Sequence, residues 1–223
     1  QNIEGTTFSG FVNIDKAKDT LNKFIENYES VSYGAKYLLY LEDTYPRYLF
    51  FVKKGKVKTY RLNDFGKELM TGFYTNGDFM AYSALFKDGK YTENAVVLED
   101  SELIAIPKDD FFKLVHNDNN AAYYFIVYFA KGDDFNKQRL LATAYSPVRE
   151  RVAIALLYFC EKYEPGVKKN VTLDISREDL ANFVGTSKET VIRTLSDFKS
   201  EKFITTKGRY MNVKDVSVFD DFL

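Results

Sequence analysis

Two amphipathic helices separated by one glycine are predicted near the C-terminus, in the stretch SREDLANFVGTSKETVIRTLSDFKSEKFI (176–204). Ser176 is a good N-cap for the first helix, and Gly185 suits the left-handed position that ends it. Thr186 is predicted to begin the second helix, with Glu189 completing a T-x-x-E capping box. The connection is only a turn long, and the apolar faces of the two helices are expected to hold them at a fixed crossing angle. The sequence therefore predicts a helix-turn-helix unit, whose second helix presents its first residues to a DNA major groove.

A β-hairpin wing is predicted directly after this unit, in FITTKGRYMNV around Lys207 and Gly208. Between residues 176 and 214 there are eight basic and five acidic residues, a local net charge of 8 − 5 = +3. The whole chain carries 31 basic and 32 acidic residues and is almost neutral. DNA binding therefore depends on local charge in this segment rather than on bulk charge.

Three residues of the predicted second helix share its exposed leading face: Lys188, Glu189 and Arg193. An arginine can donate twice to a guanine edge, and a glutamate can accept from a cytosine amino group. This grouping favours base contacts. The alternative is that the lysine is solvated surface and the glutamate only closes its capping box.

The first half of the chain reads as an antiparallel β-roll. From Tyr33 to Pro107, short aromatic and β-branched runs alternate with turn residues, which is typical of a sandwich or barrel rather than of βαβ units. A helix is predicted before it, in DKAKDTLNKFIENYES. With the helices after Pro107, the fold class is α+β.

A long helix follows the roll and carries two apolar stripes. One has the 4-3 spacing of a coiled coil and includes Phe125, Tyr128, Gly132 and Phe135. We expect this stripe to form the dimer seam; the alternative is a core helix within a single chain. Ser146 and Pro147 then suit the start of a new helix. The predicted parts are the sensor domain with its N-terminal helix (1–117), the dimerisation helix (118–145) and the DNA-binding domain (146–223).

Cysteine and histidine content argues against several protein classes. Cys160 and His116 are each the only residue of their type, which excludes a disulfide framework or a four-cysteine iron–sulfur cluster and argues against a metal-dependent enzyme with the same roll. Cys160 lies on an apolar helix face and is expected to be a core residue. The chain has neither a signal peptide pattern nor an apolar run of roughly 18 residues, so a cytoplasmic location without membrane contact is expected. It begins at Gln1, so an upstream domain remains an open alternative.

The order of roll, long helix, hinge and winged helix-turn-helix resembles the cyclic-AMP receptor protein/FNR (Crp/Fnr) family of bacterial transcription regulators. YLFFVKKGKVKTYRL, GKELMTGFYTNGDF and VVLEDSELIAIP are similar to its roll strands, which form a double-stranded β-helix of the cyclic-nucleotide-binding type. The resemblance runs from about Tyr33 to Val213. It implies an allosteric homodimer on a palindromic DNA site, with RNA polymerase as a further partner. The alternative function is a protein-interaction adaptor that keeps the fold and does not read DNA.

The resemblance also assigns roles within the helix-turn-helix (176–204), which we call the reading unit. It places Lys188, Glu189 and Arg193 on base-reading positions, where many members have arginine in place of the lysine. The positions implied to contact phosphate are Arg177, Ser187 and Thr190, and the candidate wing contacts are Lys207 and Arg209.

The sensor half departs from the family pattern in GDFMAYSALFKDGKYTENA. Ala81 and Tyr82 replace the family's Gly-Glu pair, and Tyr91 replaces the arginine that holds the cyclic phosphate, leaving Thr92. Because a tyrosine cannot replace a bidentate guanidinium, cyclic AMP is not expected as effector, and no cofactor is predicted. These four residues and Ser83 form the candidate pocket for an unidentified small molecule. Loop charge from Lys87 and Lys90 is the other conceivable anion contact, although solvated lysines are expected.

Overall fold

The β-roll is built from two four-stranded antiparallel sheets. In the computed structural model, which describes residues 14–87 and 89–222, one sheet has the order β1-β8-β3-β6 and the other β2-β7-β4-β5. Val52, Val57 and Leu103 are fully buried between them. The described strands of the roll are β1 (Ser30–Tyr33), β2 (Leu38–Tyr40), β3 (Tyr48–Lys54), β4 (Val57–Leu62), β5 (Glu68–Tyr74), β6 (Phe79–Met80), β7 (Asn94–Val97) and β8 (Ser101–Pro107).

Helices cover one end of the roll and connect it to the C-terminal domain. The predicted lead-in helix packs against the long helix, and Leu21, Phe111 and Phe125 belong to the apolar cluster between them. Asp118 caps the long helix by accepting from the backbone amides of Asn120 and Ala121 at 2.8 and 3.0 Å. The helices are α1 (Ile14–Ile25), α2 (Tyr82–Phe86), α3 (Lys108–Asn117), α4 (Asn119–Tyr145) and α5 (Val148–Tyr163).

The C-terminal domain is a winged helix-turn-helix whose core also includes Met70 and Phe73 of the roll. Val152, Phe159, Val191 and Phe198 are fully buried in one cluster. The predicted hairpin wing is present, and a third strand joins it in the order β10-β11-β9. The elements are β9 (Lys169–Asp174), α6 (Arg177–Val184), α7 (Lys188–Ser200), β10 (Ile204–Lys207), β11 (Tyr210–Asp215) and a 3-10 helix (Val216–Phe222). The predicted α+β class, with an antiparallel roll, a long helix and a winged helix-turn-helix, is confirmed.

The hinge between α4 and α5 differs slightly from the prediction. Ser146 ends α4, its amide donating to the carbonyl of Ala142, and α5 begins only at Val148. Pro147 occupies the N-cap position, and no side-chain hydrogen bond caps the helix there. In the described ranges, no helix is long and apolar enough to cross a bilayer.

The residues predicted to form the dimer seam on α4 make contacts with their own chain. Phe125 is 1% exposed, and its ring lies edge-on to Phe111 at 5.0 Å. The Tyr128 hydroxyl donates to Asp78 at 3.2 Å. The 4-3 stripe therefore contacts the roll at its first half.

Further along α4, the same stripe contacts the C-terminal domain. Phe135 stacks on Tyr158 with centroids 4.3 Å apart. Between the two halves of the stripe, Gly132 lies near the hydroxyl of Tyr82 on the short helix α2. Both stripes are apolar, and the sequence pattern does not say which one faces the chain itself. The large apolar side chains that α4 leaves exposed are those of Ile126, Leu140, Leu141 and Tyr145.

Candidate nucleic-acid interface and sensor cavity

The geometry of the helix-turn-helix is set by two serine caps and one glycine. Ser176 Oγ accepts from the amide of Asp179 at 2.9 Å, and Gly185 has φ 74° and ψ 44°, the left-handed conformation that favours glycine. Ser187, not Thr186, is the cap of α7, and its Oγ accepts from the amide of Thr190 at 3.2 Å. The predicted N-cap is therefore off by one residue, and Glu189 is the second rather than the third residue of the helix.

The three residues predicted to read bases are all exposed on the first two turns of α7. Lys188 Nζ lies 3.4 Å from a carboxylate oxygen of Glu178, a contact between two well-exposed side chains. Over residues 14–87 and 89–222, Glu189 and Arg193 form no ion pair within 4 Å. A glutamate and an arginine without an ion pair in the described chain are thus exposed one helical turn apart.

The residues predicted to contact phosphate lie around the starts of α6 and α7. Arg177 is partly buried, which lowers the pKa of its guanidinium, and it donates to the carbonyl of Arg209 at 3.5 Å. The hydroxyls of Ser187 and Thr190 are 2.9 Å apart at the exposed start of α7. The structure thus places Arg177 against the base of the wing and the two hydroxyls beside the reading face.

The two wing candidates differ in their surroundings. Arg209 pairs with the carboxylate of Asp174, and this hydrogen bond raises the pKa of the guanidinium. Lys207 is exposed, and no ion pair involves it in the part of the chain that the structure describes. Of the two wing cations, Lys207 is therefore the one whose charge is not paired within the described chain.

A charged cluster joins the roll to α6. Lys58 on β4 donates to Glu68 on β5 at 2.6 Å and to Asp179 on α6 at 2.7 Å. Burial acts to lower the pKa of Lys58, but the hydrogen bonds to the two carboxylates raise it above its ordinary value. Asn182 adds a hydrogen bond to Glu68 at 3.0 Å. The first helix of the reading unit is thus attached to the sensor sheet.

Arg139 makes a second joint between the two halves. Its guanidinium donates to the backbone carbonyls of Met70 on β5 and Phe183 on α6, and stacks 4.1 Å from the Phe183 ring. Desolvation lowers the pKa of Arg139. Tyr158 on α5 donates to a further β5 carbonyl, that of Phe73, at 3.2 Å. Roll, long helix and reading unit are therefore in direct contact.

A cavity of about 630 Å³ lies between the roll and α4. Four of the five predicted pocket residues line it: Ala81, Tyr82, Ser83 and Thr92. Tyr91 does not. Its ring stacks on Tyr40 with centroids 3.8 Å apart and is 5% exposed, because this position turns into the apolar interior of the roll.

The two loop lysines also separate, since Lys87 lines the cavity while Lys90 lies 5.8 Å from the ring of Tyr45. The sequence reasoning missed two charged residues of the cavity lining, Glu93 and Arg139. Glu93 lies directly after Thr92, and Arg139 continues the 4-3 stripe of α4 four residues after Phe135. Burial raises the pKa of Glu93 against the opposing effect of its hydrogen bond with Thr71. The neighbouring Thr92 was the signal that could have drawn attention to Glu93.

Family models match both the β-roll and the C-terminal domain. Residues 30–118 match the cyclic nucleotide-binding domain, and residues 150–221 match the Crp-like helix-turn-helix domain. The chain belongs to the Crp/Fnr family. It is therefore a transcription regulator with a helix-turn-helix DNA-binding domain, and the adaptor alternative is not favoured.

Individual Crp/Fnr proteins are similar over most of this chain. The fumarate and nitrate reduction regulatory protein of Shigella dysenteriae is 26% identical over 203 residues, covering 88% of this chain and 78% of that protein. FixK2 from Bradyrhizobium japonicum has the same fold with a TM-score of 0.78 and 22% identity, covering 87% of this chain and 96% of that one. The c-di-GMP-responsive regulator CLP of Xanthomonas campestris gives a TM-score of 0.72 at 19% identity, covering 88% and 99%. These named relatives are regulators rather than enzymes, and no group of metal-ligand side chains occurs among the residues described.

Proposed function

We propose that this Crp/Fnr regulator binds a palindromic DNA site as a homodimer, with Lys188, Glu189 and Arg193 reading bases. The observation that carries the proposal is the exposed start of α7, where Glu189 and Arg193 stand free of ion pairs with the rest of the described chain. Two such helices related by a two-fold axis would sit roughly 34 Å apart, which sets half-sites one helical turn apart.

Phosphate contacts are proposed for Arg177, Ser187 and Thr190, with Lys207 as the principal contact from the wing. The hydroxyls and the partly buried guanidinium surround the reading face, where such contacts fix register on the duplex. Arg209 is given a smaller role because Asp174 already neutralises it.

The dimer seam is proposed to lie on the exposed apolar face of α4 rather than on the stripe that packs inward. Ile126, Leu140 and Leu141 are each at least 61% exposed, and a second copy of α4 would bury them. Because burial of apolar surface contributes about 0.8 kcal/mol per methylene, this face has a clear driving force for association.

Cyclic AMP is proposed not to be the effector. The tyrosine in the arginine position, Tyr91, is stacked inside the roll, and the cavity wall presents the carboxylate of Glu93 instead. RNA polymerase is proposed as the protein partner and the cytoplasm as the location, both on the strength of the family's role in transcription.

Selection from a random duplex pool at physiological salt, followed by binding measurements on the enriched site and a random duplex, tests the DNA proposal. Arg193→Ala should lose about 1–3 kcal/mol of discrimination and keep weak salt-sensitive binding. Arg177→Ala should weaken both duplexes alike and reduce the salt slope. Lys199→Ala, an exposed lysine in the last turn of α7, is the matched control. Equal losses on both duplexes for Arg193→Ala would remove its base-reading role, and enrichment of no palindrome would favour the adaptor function.

A further inference from the structure

The cavity between the roll and α4 contains a carboxylate without a cation partner. Glu93 is largely shielded from solvent, and Thr71 supplies a hydroxyl hydrogen bond to it. Throughout residues 14–87 and 89–222, no lysine or arginine nitrogen lies within 4 Å of its oxygens. Hydroxyl groups stabilise a carboxylate less than a cation does, so a ligand cation would gain a strong interaction here.

The other charges near Glu93 lie beyond ion-pair distance, and Arg61 and Lys87 act on its carboxylate only through space, which lowers its pKa against the effect of burial. Arg139 directs its guanidinium at the carbonyls of Met70 and Phe183, and Lys87 is exposed at the rim. The acidic Asp133 is already paired with Lys137 one turn along α4. Glu93 is therefore the acidic group in this cavity that lacks an ionic partner.

Aromatic rings form the neighbouring wall. Tyr82 and Phe129 meet edge to face with centroids 4.6 Å apart, and Tyr74 lines the same space. Ring faces favour an apolar or aromatic ligand body and attract cations. Ser83 and Asn136 add neutral polar groups that can orient such a body.

We propose that this cavity binds an organic cation, an amine attached to an aromatic or apolar body, whose charged end pairs with Glu93. The inference rests on the proposed role of the roll as effector domain, and it gives that domain a ligand of opposite charge to a cyclic nucleotide. A phosphate placed beside Glu93 would face a carboxylate, while the Arg139 guanidinium on the same cavity wall already donates to two backbone carbonyls. Because Arg139 lines the cavity and holds α6, the ligand site adjoins the joint to the reading unit.

Calorimetry on the full chain with four probes tests the ligand class. Phenethylamine, 2-phenylethanol and 3-phenylpropionate share one aromatic body and differ in charge, and cyclic AMP is the fourth probe. Phenethylamine should bind with a dissociation constant below about 10 mM and at least about tenfold more tightly than the alcohol, while the two anions bind more weakly still. Glu93→Gln should reduce amine affinity about tenfold or more and leave the alcohol within about twofold. Glu102→Gln, on the exposed end of β8, is the control and should change neither.

Equal affinity for amine and alcohol, tighter binding of either anion, or no amine binding up to about 10 mM would each overturn the proposal. The comparison of probes on the unaltered protein does not depend on how well the variant folds. DNA selection is a separate readout, since amine binding without an enriched palindrome would refute the regulator function and leave the cavity chemistry standing.

Discussion

Replacing Lys58 by alanine is expected to destabilise the protein more than replacing an exposed surface lysine by alanine. Its ammonium lies between Glu68 and Asp179, and the three side chains are only 11%, 22% and 16% exposed. Removing one member of a buried charge group leaves the others without compensation, which costs about 3–5 kcal/mol. Because a little solvent reaches all three, we expect a loss of about 3 kcal/mol in the free energy of unfolding.

Urea unfolding at a fixed protein concentration measures this loss. For a chain of this size the dependence on urea is about 3 kcal/mol per molar, so the midpoint should fall by about 1 M. Lys53→Ala is the matched control, because its pair with Glu102 is 54% and 40% exposed and is worth less than about 1 kcal/mol.

A rescue variant separates charge burial from lost packing. Adding Glu68→Gln and Asp179→Asn to Lys58→Met removes all three charges and should recover most of the stability, since neutral replacements of buried ion groups are often tolerated. A loss below about 1 kcal/mol for Lys58→Ala, or no recovery in the triple variant, would refute the reasoning.

Two further predictions concern the thiol and the dimer face. Cys160 should resist alkylation by iodoacetamide at pH 8 until the protein unfolds, because burial raises its pKa to about 12 and keeps it in the unreactive thiol form; rapid labelling of the folded protein would contradict this. Leu141→Asp should weaken dimerisation by at least about tenfold in sedimentation experiments without lowering monomer stability, because Leu141 is 61% exposed in the single chain. Gln138→Asp is the control, because it adds the same charge at an exposed polar position of α4 and removes no apolar side chain.

Local signals predicted the reading unit well. Ser176 and Gly185 mark the bounds of α6 because capping and a left-handed turn depend on neighbouring residues alone. The one-residue error at Thr186 arose because Ser187 can also cap, and a sequence pattern does not choose between adjacent hydroxyls.

Long-range contacts were not predictable in the same way. Phe125 and Leu140 lie on the two apolar stripes of α4, and only the packed chain shows that the first is buried and the second is exposed. Tyr91 and Glu93 are two residues apart, yet one stacks on Tyr40 and the other lines the cavity. Which of the two lines the cavity depends on the backbone path just before β7. No sequence motif predicts that path.

The position of strand β5 determines what would happen if the sensor half were cut from the C-terminal domain. It lies at the end of its sheet, pairing with β4 on one side, and on its open side the carbonyls of Met70 and Phe73 accept from Arg139 and Tyr158. Arg139 on α4 and Tyr158 in the C-terminal domain therefore shield a strand edge that would otherwise be a template for another chain. Cutting the chain at the hinge would remove Tyr158 and α6 from this edge while Arg139 stays with the sensor half. The partly opened edge would be prone to add strands from its own copies, so the C-terminal domain also protects the sensor from aggregation.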